Sequence, residues 1–244
     1  MAEFDRRLST VQSRTDEVSY DAGLRSFMLG VYNYMAIGIG LTGAAAYGLY
    51  AYAASNPAVF SAVFQGPLRL VLLFAPLAYG FYLIFRMHAM TVTGARNGFF
   101  VYATLVGLSL ALLFVIYTHE SIARVFFISA AMFAGTSAWG YTTKRDLTGL
   151  GSFMMMGLFG IIIASLVNYF FVSSALQFAI SVIGVVVFTG LTAYDTQKLK
   201  NVYESVSGDA VAVGHASVRG ALELYLDFIN LFIMLMRLMG DRRS

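Results

Sequence analysis

No cysteine occurs anywhere in the 244 residues. Disulfide frameworks, thiolate nucleophiles and cysteine-ligated metal sites are therefore excluded together, while the redox compartment stays open. Charge is scarce as well: 12% of the residues are Asp, Glu, Lys or Arg, against about a quarter in an ordinary soluble domain. The net charge of +3 is small for the length, and no run of Lys and Arg forms a nucleic-acid footprint, so nucleic acid is not an expected partner. Internal repeats, low-complexity tracts and domain-sized linkers are missing too, which makes one compact unit the economical organisation. What fills the chain is apolar: 59% of the residues are hydrophobic and the mean hydropathy is +0.73. Such a chain is a membrane protein, and the lipid bilayer is its first partner.

Seven apolar stretches, at about 27–52, 68–86, 97–117, 122–142, 152–173, 175–194 and 220–240, each approach the roughly 20 residues that cross a bilayer as a helix. Backbone amides in lipid must be satisfied internally, which leaves helices or a closed barrel. Unbroken apolar runs lack the alternation that a barrel requires. The expected fold class is an all-α membrane protein, a seven-transmembrane helix bundle. Residues 1–24 mix Arg, Asp and Glu without an apolar core, so they are read as a polar N-terminal tail rather than a cleaved signal peptide, with residues 25–244 forming the single transmembrane domain. Loop 195–219 reads as the longest connector, polar and marked by Gly208 and Asp209.

Basic residues fall mostly on one side. Arg6, Arg7, Arg14 and Arg25 precede the first span, Arg86 and Arg96 flank the second loop on that side, Lys144 and Arg145 the third, and Lys198, Lys200 and Arg219 the fourth. The opposite loops hold only Arg69 and Arg124, so the N-terminus is expected in the cytoplasm. Arg237, Arg242 and Arg243 resist that pattern. Either they fail to override the earlier helices or the last segment re-enters without crossing. Small residues at four-residue spacing, such as Gly40 with Ala44, Ala44 with Gly48 and Gly160 with Ala164, are expected to let helices approach closely. Tyr and Trp near the span ends, among them Tyr47, Tyr50, Tyr117 and Trp139, read as headgroup anchors.

Few ionisable groups remain at membrane depth, and such groups are expensive unless they face a partner or a path. Arg69 can snorkel outward from its span end. His88, His119 and His215 lie in loops or at span ends without metal-like spacing. The last span differs, because Glu223, Asp227 and Asn230 recur at intervals of four and three and share one face of an otherwise apolar helix. Lipid would reject that stripe, which places the last helix in the middle of the bundle. Asp195 at the end of the sixth span and Arg86 at the end of the second reach the same half of the membrane. Two aspartates that meet in a low dielectric cannot both ionise cheaply, so Asp195 and Asp227 would share a proton and sense pH. An arginine in reach of them would act as a latch while its aspartate is ionised. In the alternative, Arg86 snorkels to the headgroups and Asp195 is a helix-end residue in water.

The segments GALELYLDFINLFIMLMRLMG at 220–240 and VIGVVVFTGLTAYDTQKLK at 182–200 resemble the signature of the Bax inhibitor-1, or transmembrane Bax inhibitor motif, family, in its prokaryotic form. The resemblance implies seven helices with the seventh central and a pH-sensitive calcium leak. It also implies an aspartate pair as proton sensor, matching Asp195 and Asp227, and a latching arginine, matching Arg86. Bacterial relatives can carry an acidic residue inside the second helix, whereas residues 70–85 here have none. Glu223 is the available substitute.

The expected function is a pH-sensitive calcium leak channel. Calcium would be the transported species, held weakly and transiently by Asp195 and Asp227, with Glu223 and Asn230 offering further oxygens along the path. No catalytic residues and no cofactor are expected. Two other classes compete: a non-conducting membrane protein that regulates membrane proteases or stress responses through protein partners, and an intramembrane aspartyl protease. Against the protease, the second aspartate lies in LYLD rather than in a Gly-x-Gly-Asp motif. The expected location is a bacterial inner membrane, multi-pass.

Overall fold

The computed structural model describes residues 2–243, with side chains from Tyr20 onward. The chain forms helix α1 (Ala2–Ala54), a short α2 (Pro57–Phe60) followed by a π turn (Ser61–Gln65), then α3 (Leu68–Arg86), α4 (Val92–Ile116), α5 (His119–Thr142), α6 (Thr148–Phe171), α7 (Ser174–Val206) and α8 (Ala210–Met239). Among the described residues there is no strand, only an isolated bridge between Tyr117 and Arg242. Six helices, α1 and α3 to α7, are long and apolar enough to cross a membrane by length and composition. The seventh long helix, α8, carries Glu223, Asp227 and Arg237, and it lies inside the others.

Because the spans end in water or headgroups, their first amides need side-chain acceptors. Thr91 accepts from the Gly94 amide, Thr118 from Ser121, Ser173 from Leu176, and Asp209 from both Val211 and Ala212. At the start of α6, Asp146 Oδ1 accepts from the amide of Thr148 at 2.9 Å and its hydroxyl at 2.6 Å, and these bonds hold the Asp146 carboxyl below its ordinary value.

The layering follows from which faces are apolar all round. α3 and α6 expose rows of large side chains, including Leu73, Phe74 and Leu77 on one and Phe159, Ile162 and Ile163 on the other. A soluble surface would not tolerate such rows, and here they face lipid. α8 is the reverse: Val218, Ala221, Leu224, Tyr225, Leu231 and Met236 are fully buried, and the helix packs on α7, α1, α5 and α4. The last helix is therefore central, as its stripe requires.

Two expectations change. The connector expected at 195–219 is mostly helix, since α7 continues to Val206 and α8 begins at Ala210. Hydropathy marks where hydrocarbon ends, not where hydrogen bonding ends, and the polar residues after Asp195 simply continue the helix into water. The tail expected at 1–24 has a helical backbone from Ala2 that runs on into the first span, and its side chains at 1–19 lie outside the described residues. A Cβ added at Gly40, Gly48 or Gly160 would meet nothing within 4 Å, so these positions face outward rather than mediate helix contact. The close approaches lie elsewhere, with Gly107 against the Thr42 backbone and Gly140 against the Ala193 backbone.

The end of the chain also finds its place. Arg243 donates to Tyr50 Oη at 2.8 Å and lies 2.9 Å from His119 Nε2, while Arg124 pairs with Asp241 at 2.8 Å. The C-terminal end of α8 thus sits with the ends of α1 and α4 and the start of α5. Its N-terminal end packs with the start of α4, where Val92 crowds Gly214. α8 runs the full depth of the bundle, which decides against the re-entrant alternative.

Candidate functional site

Asp227 projects from the middle of α8 and is 5% exposed. Asp195, a buried-side residue of α7, lies within side-chain hydrogen-bonding reach of it. Asp227 Oδ2 is buried and has no hydrogen-bond donor among the described residues. Two ionised carboxylates offer each other only acceptors, so a proton between them is what supplies the missing donor. The arrangement can therefore hold and release a proton, and its repulsion changes sharply when it does.

One cation stands beside the pair and another beside Glu223, and neither is Arg86. Lys198, one turn after Asp195 on α7, places its Nζ 3.7 Å from Asp195 Oδ1 and 3.0 Å from Glu223 Oε2. Arg219, one turn before Glu223 on α8, donates from Nε to Glu223 Oε1 at 3.2 Å. Glu223 is thus held between a lysine of α7 and an arginine of its own helix, and Lys198 links Asp195 to α8. These neighbours escaped notice in the sequence, although their i,i+3 and i,i+4 spacings were the signal that could have found them. Arg86 is exposed at the end of α3, makes no ion pair among the described residues, and sits on a helix that packs chiefly against α4. The structure brings Asp195, Asp227 and Glu223 together and leaves Arg86 outside that group.

Asn230 lies one turn beyond Asp227 and is half-buried. On the side that faces α5 the packing is aromatic: Phe228 meets Phe126 and Phe133 with ring centroids 5.7 and 5.8 Å apart, Phe232 meets Phe126 at 6.4 Å, and Phe126, Phe228 and Phe232 line an apolar cavity of about 280 Å³. On the other side of Asp227, a crevice of about 370 Å³ opens beside Lys198, Arg219 and Glu223, with His88 and His215 on its walls. The acidic stripe thus has a charged crevice at its Glu223 end and aromatic, apolar packing toward its other end. Among the described residues, no three acidic or histidine side chains are gathered as a set that could hold a metal ion.

Around this centre several hydroxyls pair across helices. Tyr225 Oη and Thr42 Oγ1 are 2.7 Å apart, and Ser137 Oγ contacts both Tyr32 Oη at 2.6 Å and Thr196 Oγ1 at 2.9 Å. These links tie α1 to α8 and to α5 and α7 around the acidic pair.

A family model described as "Inhibitor of apoptosis-promoting Bax1" matches residues 24–244. An uncharacterized protein of Rickettsia prowazekii is 46% identical over the whole length of both chains. The inner membrane protein YbhL of Escherichia coli is 44% identical, again over the whole of both. An uncharacterized protein of Caulobacter vibrioides is 43% identical with the same complete coverage.

Proposed function

The chain belongs to the Bax inhibitor-1 family, and from its buried acidic pair we propose that it is a pH-controlled calcium leak of a bacterial inner membrane. The observation that carries this reading is the contact between Asp195 and Asp227, made by two different helices at the centre of the bundle, with Asp227 Oδ2 lacking a donor. The inner-membrane location is carried over from the Escherichia coli relative, an inner membrane protein, and the distribution of Lys and Arg supports a cytoplasmic N-terminus.

Calcium is a hard cation that favours several oxygen ligands, and Glu223, Asp227 and Asn230 follow one another along α8 with Asp195 of α7 beside Asp227. Four oxygen-bearing side chains that do not close into a cage suit passage rather than retention. When the pair is ionised, Lys198 draws Asp195 toward Glu223 and holds α7 to α8 at the charged end. Adding a proton to the pair relieves the repulsion of Asp195 and Asp227 across α7 and α8 and removes negative charge that attracts calcium, so flux depends on pH and need not change steadily with acidity. In this scheme Lys198 does the holding that the sequence assigned to Arg86; a latch by Arg86 requires α3 to approach α7.

The close aromatic packing of Phe228 and Phe232 against α5 favours a second reading, a non-conducting protein that regulates membrane proteases or stress responses through helix contacts. Purified protein in calcium-free liposomes separates the two. Calcium entry that varies with pH, and loses that variation in Asp195→Asn and Asp227→Asn, is the expected result. Entry no faster than through empty liposomes at every pH, or variants that keep the parent's profile, ends the leak proposal. An assay for substrate cleavage blocked by an aspartyl-protease inhibitor would identify the remaining competitor.

A further inference from the structure

α1 and α5 both lean on the central helices, and between them runs an open groove of about 620 Å³. Its size falls within the range of sites that bury a lipid-like or drug-sized ligand. The walls are apolar, formed by side chains such as Leu29, Met35, Ile39, Phe133 and Ala134. The polar groups in it, Tyr32 and Ser137, already satisfy one another across the groove and pass on to Thr196, so they make no demand on an occupant.

One end of the groove is cationic. Arg25 lines it from α1, and Tyr141 lines it from α5. Lys200 of α7 reaches the same place, donating from Nζ to the Tyr141 carbonyl at 2.8 Å and lying 5.3 Å from the centre of that ring. An ammonium has three donors, so this bond leaves Lys200 capacity for another acceptor. An apolar trough with two basic groups at a single end complements one chemistry: a hydrocarbon chain that terminates in an anionic phosphate.

We propose that this groove is a binding site for an anionic phospholipid, one acyl chain lying between α1 and α5 and the phosphate held between Arg25 and Lys200. Basic residues at the membrane surface between helices favour anionic headgroups over zwitterionic ones. The bound chain would rest against the Tyr32–Ser137–Thr196 linkage, whose last member adjoins Asp195 on α7.

The test is native mass spectrometry of the purified full-length protein offered equal amounts of phosphatidylglycerol and phosphatidylethanolamine with identical chains. The parent should retain phosphatidylglycerol by a factor on the order of ten. That factor should fall close to one in the double variant Arg25→Gln, Lys200→Gln and persist in Arg25→Lys, Lys200→Arg. Ala134→Phe, whose ring occupies the trough, should lose both lipids while keeping its helical circular dichroism, and glycerol 3-phosphate, which lacks chains, should displace neither. Equal retention of the two lipids by the parent overturns the proposal. So does an undiminished preference in the glutamine variant, or full displacement by glycerol 3-phosphate.

Discussion

Asp195 and Glu223 compete for one lysine, and the distances say which holds it: Lys198 is 3.0 Å from Glu223 and 3.7 Å from Asp195. Glu223→Gln removes the nearer acceptor and leaves the ammonium to Asp195, which favours the ionised pair. In the proposed leak, the pH of half-maximal flux should then move downward. Lys198→Met removes the cation from both and should move it upward; liposome flux against pH, measured on the two variants side by side, reads the directions. Equal profiles would separate this ion-pair cluster from gating. At this scale the sequence was half legible. The stripe of Glu223, Asp227 and Asn230 could be read because helical periodicity puts them on one face. That Asp195 meets Asp227 required knowing which helices are neighbours, and the same ignorance let Arg86 stand in for Lys198, a residue three places from Asp195 in the chain.

The helices themselves were legible wherever lipid dictated them and illegible where it did not. Spans 68–86 and 122–142 fall inside or upon α3 and α5, because unbroken apolar runs leave the backbone no other partner. α7 overran its expected end at 194 by a dozen residues, reaching Val206, because helix propensity rather than hydropathy governs a helix once it leaves hydrocarbon. Glycines were misread for a related reason. Four-residue spacing identifies a stripe of small residues without saying what faces it, whereas Gly107 and Gly140 earn their place by contact with another backbone. Gly140→Ala pushes a methyl group into the Ala193 carbonyl of α7 and should cost about 1–3 kcal/mol as overpacking. Gly160→Ala meets nothing and should cost nothing. Thermal unfolding of the two variants in detergent compares them directly, and equal melting temperatures would show that the α5–α7 approach is not limiting.

Across the whole molecule, the expectation of a central last helix survives because burying one polar stripe leaves a bundle little choice. Which face the C-terminus occupies was beyond sequence reading, since Arg237, Arg242 and Arg243 argued against the sidedness of the rest. Of the three, Arg243 settles on Tyr50 and His119, next to the Asp241 that meets Arg124. With α8 running end to end, the two termini belong on opposite sides. A periplasmic reporter such as alkaline phosphatase should be active when fused after Arg243 and inactive when fused before Ala2; activity at both or neither would contradict a seven-span path. The arrangement also restricts how this protein can move. α8 is moored at its start by the contact of Gly214 with Val92, and at its finish by the strap of residues 241–243. A rod fixed at both ends cannot slide like a piston. Any change of shape must come from its escorts swinging about it as about an axle, most freely α3, which has Pro76 at its middle and rests chiefly on α4.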